Sequence, residues 1–139
     1  MAGRVWGKEI VGGKMKFTAD GGLAYLMTNK SGAASIKGYV VAASTATTNS
    51  VMLNPVDGYN PIGVFLDDGV PDGQPAWVVV SGLAYVYFFA STTFGYFARV
   101  PLTADTGEGA GKAANLSAPA DATTHFGEIG HILETRTGA

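Results

Sequence analysis

The 139-residue chain contains no cysteine, which excludes a disulfide framework, a thiolate zinc site, an iron–sulfur cluster and a cysteine nucleophile together. Stability must come from packing and assembly. Charge is scarce too: only 14% of residues are Asp, Glu, Lys or Arg while 47% are hydrophobic, so a disordered polyelectrolyte does not fit. Long apolar runs are missing, and Met1-Ala2-Gly3-Arg4 opens the chain without the apolar core of a signal peptide. The expectation is therefore a protein made in the cytoplasm, with no membrane partner.

What the chain has in quantity is small residues. Its 20 Gly, 20 Ala, 13 Thr and 7 Ser suit short strands and tight turns better than long helices. The size fits a single domain. The net charge of −2 gives no reason to expect nucleic acid, yet the charge is unevenly spread. Residues 1–37 carry six basic side chains against two acidic ones, a balance of +4, whereas residues 38–139 carry three against nine, a balance of −6.

Residues 1–22 are glycine-rich with few apolar neighbours and read as an extended arm, leaving residues 23–139 as one β domain. The arm spans about 70–80 Å when fully extended. It either folds back on its own acidic domain or reaches an acidic partner through Arg4, Lys8, Lys14 and Lys16, with Trp6, Ile10 and Val11 as apolar anchors. Apolar, β-branched runs punctuated by turn residues predict strands at 23–27, 38–43, 51–53, 62–66, 77–81, 83–89, 96–102 and 129–134, with a bulge or bend at Gly82 and a loop over 103–124. Ile62-Gly63-Val64-Phe65-Leu66-Asp67 and Ile129-Gly130-His131-Ile132-Leu133-Glu134 repeat one pattern, with Gly second, where a strand passes close to another backbone.

Chemical constellations are weak. In the strand reading His131 points away from the Gly130 and Ile132 face, and His125 lies six residues upstream, so the pair does not form a metal site. Asp67, Asp68 and Asp72 lack the alternating ligands of a calcium loop and read as a solvated turn. There is no Gly-x-Ser-x-Gly, and Gly107–Lys112 is followed by Ala113 rather than Ser or Thr, so it is not a phosphate-binding loop. No enzymatic activity, cofactor or metal is expected.

The aromatic content points elsewhere. Leu83, Tyr85, Tyr87 and Phe89 alternate with Ala84, Val86 and Phe88, apolar on both faces, and Phe94, Tyr96 and Phe97 follow closely. Leaving three such rings outside the core exposes on the order of 450–750 Å², at or above the largest patch a monomer tolerates. Either a double-layered core takes both faces, or a subunit or partner interface covers Tyr85, Tyr87, Phe89, Phe94 and Tyr96.

Lys37-Gly38-Tyr39-Val40-Val41, Asn60 to Asp68, Trp77 to Ala84 and the closing Ile129 to Glu134 together resemble the small capsid decoration, or cement, proteins of tailed bacteriophages and prophages. The resemblance covers roughly residues 37–134, and residues 1–36 match no pattern of that group. It implies an all-β fold, a small β-barrel or jelly-roll-like sandwich. It also implies a dimer or trimer on the outside of an icosahedral head that bridges major capsid protein subunits. No catalytic residues come with it. The alternative is a carbohydrate- or receptor-binding β-module of a phage tail or fibre, with Trp6, Trp77 and loop tyrosines stacked on sugars.

Overall fold

The computed structural model describes residues 14–58, 60–103, 105, 109–118 and 127–137. These residues form no α-helix and nine strands: β1 (Met15–Phe17), β2 (Gly22–Asn29), β3 (Val40–Ala43), β4 (Ser50–Leu53), β5 (Pro61–Phe65), β6 (Pro75–Gly82), β7 (Phe97–Arg99), β8 (Ala114–Leu116) and β9 (Glu128–His131). The all-β expectation holds, and the architecture is a barrel.

Six strands lie in the order β1-β2-β4-β3-β5-β6, and β6 also pairs with β2, so that five strands close on themselves and β1 is left on the outside. All these pairings are antiparallel except β2 with β4. The polar, uncharged tract after β3 forms the hairpin to β4. Ser44 Oγ accepts from the Ala46 and Thr47 N–H groups, and Asn49 takes a left-handed φ of 54°, a conformation Asn tolerates better than most residues.

The core has two clusters on opposite faces of the same strands. Val41, Val51, Phe65, Ala76 and Val78 are buried with Met27 packed against them, so each of the five closed strands sends a side chain into the lumen. The alternate residues Ala24, Val40, Val64 and Val79 form the other cluster with Ala113, and Val86, Phe88 and Ile129 pack on it. The second half of the chain thus covers part of the outer wall. That explains why Trp77-Val78-Val79-Val80 lacks the polar alternation of a half-wet strand: Val78 faces the lumen and Val79 faces the second layer. This layer includes a three-stranded sheet ordered β8-β7-β9.

Four expectations are corrected. The strand foreseen over 83–89 does not form: β6 ends at Gly82, whose φ of +79° suits glycine, and residues 83–87 carry no ladder. The chain instead crosses the outer wall, held where Leu83 N donates to Gly21 O and Tyr87 N donates to Gly38 O, at 3.2 and 2.9 Å. The arm boundary also shifts. Residues 1–13 lie outside the described residues, but Met15, Lys16 and Phe17 pair with Tyr25, Ala24 and Leu23, so the sheet begins before residue 22. The two repeated glycines differ: a Cβ on Gly63 collides with the Val79 carbonyl, whereas one on Gly130 meets nothing within 4 Å. β8 lies in the stretch read as a loop.

Candidate interaction surface

The expected interface residues fall in three places. Arg4, Trp6, Lys8, Ile10 and Val11 lie outside the described residues. Lys14 and Lys16 flank Met15 at the start of β1, both exposed. The aromatic residues divide between the wall-crossing segment and the second sheet.

On the wall-crossing segment, side chains that face inward are buried by the barrel and those that face outward are left to solvent. Val86 and Phe88 pack on the outer-wall cluster, while Leu83 and Tyr85 are more than half exposed. Tyr87 turns sideways onto Tyr39, with ring centroids 5.1 Å apart and nearly perpendicular, the edge-to-face geometry aromatic pairs prefer. Lys37 Nζ lies 5.5 Å from the Tyr85 ring centroid. Backbone crowding fixes this arrangement, since a Cβ on Gly38 would lie 2.8 Å from Tyr85 Cδ1 and 2.9 Å from Tyr87 N. Phe89 is half-buried, its N–H donating to Ala113 O.

Between this segment and the β1–β2 turn lies a small open cleft, with Leu66, Val79 and Leu83 as apolar lining and Asp20 and Lys37 as its charged members. Its volume of ≈ 10 Å³ is about what a single water needs, far below the roughly 300–1,000 Å³ of small-molecule sites, so it is not built to hold a cofactor. On the second sheet Phe94 is 66% exposed and its N–H donates to Thr135 Oγ1. Tyr96 is half-buried and accepts from Ile132 N through its carbonyl.

Sequence reasoning did not offer as interface Phe17, at 81% the most exposed large apolar residue among the described residues, nor Ile36 and Leu133. Phe17 had a signal, the alternation of Lys14 and Lys16 with Met15 and Phe17, but three residues among glycines are a short strand to read.

The acidic turn is tied to its neighbours. Asp68 Oδ1 accepts from Lys37 N at 2.7 Å and Asp72 Oδ1 from Gly32 N at 2.8 Å, so two of its three carboxylates brace the loop after β2. The His131 ring lies against Phe97, centroids 4.8 Å apart and planes tilted by 53°, and His125 lies outside the described residues. Among the described residues no group of three or more His, Cys, Asp and Glu side chains is placed to hold a metal, and no helix is long and apolar enough to cross a membrane. No protein-family model, curated protein or solved structure matches the chain.

Proposed function

We propose that this protein is a structural decoration protein of a tailed-phage head, binding the outer surface of the shell and bridging major capsid subunits. The observation that carries this reading is the exposed apolar ridge of Leu83 and Tyr85, set on a segment pinned to the barrel at Gly21 and Gly38. A rigid apolar ridge loses little conformational entropy on docking, which favours a static contact over a mobile binding loop. The low charge and the sequence resemblance over residues 37–134 agree with a protein that lives in a shell.

Sugar stacking has less support. The Trp77 ring sits under Lys16 Nζ at 4.5 Å and packs against the core, so the tryptophan that this reading needs is not set out as an open platform. The test is to add the purified protein to phage heads that lack it. Saturable occupancy in electron micrographs and heads that resist heat or chelator longer support the reading. Heads that stay bare at saturating protein overturn it.

A further inference from the structure

β2 is bonded to β6 on one side, and on the other to β1 at its start and β4 at its end. β1 therefore has one paired edge and one edge that no described residue pairs with. The direction of its polar groups follows from the ladder. Leu26 N donates to Lys14 O at 2.9 Å and Thr18 N donates to Gly22 O at 2.8 Å, in the same register as Met15↔Tyr25 and Phe17↔Leu23. Bonded and non-bonded pairs alternate in an antiparallel ladder. Met15 and Phe17 thus turn their N–H and C=O groups outward.

Proteins usually guard such an edge with proline, a bulge or an outward lysine. β1 has neither proline nor bulge, the Lys16 ammonium is drawn over Trp77, and Phe17 is 81% exposed beside it.

We propose that the open edge of β1 receives an extended strand of a partner protein in which carboxylates alternate with apolar side chains. The pattern is set by the period of two along a strand. Lys14 and Lys16 project from one face of β1 and Met15 and Phe17 from the other, so a strand laid alongside places acids opposite the lysines and apolar groups opposite Met15 and Phe17. The surrounding chain agrees, since residues 1–37 carry +4. A second copy of β1 is a poorer occupant because antiparallel pairing about Lys16 sets lysine against lysine. The inference rests on the preceding reading for who the partner is, and on β1 alone for how it binds.

The experiment uses the full chain and a capped peptide of alternating glutamate and valine, followed through backbone amide NMR shifts, with a lysine–valine peptide as control. Saturable shifts centred on Met15 and Phe17, given by the acidic peptide alone, are expected. Phe17→Pro removes an outward donor without touching the β1–β2 ladder and should weaken binding by about tenfold or more, while Phe17→Ala keeps most of it. Met15→Pro serves as a second donor deletion should Phe17→Pro misfold. Shifts elsewhere, no shifts at millimolar peptide, equal response to the basic peptide, or equal losses for the Pro and Ala variants overturn the proposal. Binding of the full chain to heads is a separate measurement, so bare heads with a bound peptide would sink only the preceding reading.

Discussion

The Asn29 side chain joins two loops distant in sequence: its Nδ2 donates to the carbonyl of Val70, 41 residues away, and to that of Ala33, both at 2.9 Å. Its Oδ1 accepts from Ser31 N at 3.0 Å, its backbone is bonded to Gly73 and Gln74, and it is fully buried. Both loops at this end of the barrel are thereby fixed from one residue. Asn29→Ala removes three hydrogen bonds and leaves Ser31 N without this acceptor, although Val70 O keeps the Ser35 N–H and Ala33 O keeps Ser31 Oγ, a cost of about 2–3 kcal/mol, or a melting point lower by roughly 5–10 °C. Asn29→Asp keeps the acceptor and loses both donations, so it should fall at least as far in a denaturant titration. A melting point unchanged in both would show that the loops hold without it.

Gly63 and Gly130 offer a paired test of close approach. Gly63→Ala pushes a methyl into the Val79 carbonyl of the neighbouring strand, where backbone cannot swing aside, and should cost about 3 kcal/mol, the upper end of overpacking. Gly130→Ala meets open space, so its cost is confined to the strain of a side chain at a φ of +159°, about 1–2 kcal/mol. Equal losses would mean that the β5–β6 contact is softer than its geometry implies.

The sequence reading located β2 to β7 and β9 because each is a run of apolar, β-branched residues bounded by turns, a local signal. It missed β1 and β8, three residues each, which become strands only because β2 and β7 lie beside them. The closure of β6 on β2 was equally out of reach, since it pairs Gly22 with Gly82 across sixty residues. Leu83 to Phe89 shows the reverse error. Its composition favours a strand, and the left-handed turn at Gly82 overrides that preference by sending the chain over the outer wall. The missing polar alternation left open whether a core or a partner takes the two faces, because the coverage of Val86 and Phe88 by the barrel, with Tyr85 left exposed, depends on tertiary contact.

Arg99 is buried in the second sheet with its guanidinium against Asp105, 3.0 Å from Nη1 to Oδ2, and Nη1 also donates to Val100 O at 2.8 Å. Asp105 Oδ2 accepts from Leu102 N as well, so the pair shapes the turn after β7. Asp105→Ala leaves a buried cation without its partner and should cost about 3 kcal/mol or more. Arg99→Met with Asp105→Ala should recover much of that loss, because no charge then remains to be buried. A double variant as unstable as Asp105→Ala alone would argue that the turn, rather than the charge, carries the stability.

Two truncations separate the arm from the sheet. Removing residues 1–13 leaves β1 and its ladder to β2 in place and supplies the reference for the longer cut. Removing residues 1–22 is different in kind. It takes away β1 and bares the edge of β2 at Leu23–Tyr25. It also lifts Lys16 from Trp77 and releases Leu83, whose N–H donates to Gly21 O. The cation–π contact and four or five backbone bonds together amount to about 2–5 kcal/mol. The longer truncation should therefore unfold at clearly lower denaturant and bind hydrophobic dye where Trp77 and Leu83 are uncovered. Equal midpoints for the two truncated chains would show that β1 adds nothing to the barrel's stability and that residue 22, not residue 14, is the working boundary of the domain.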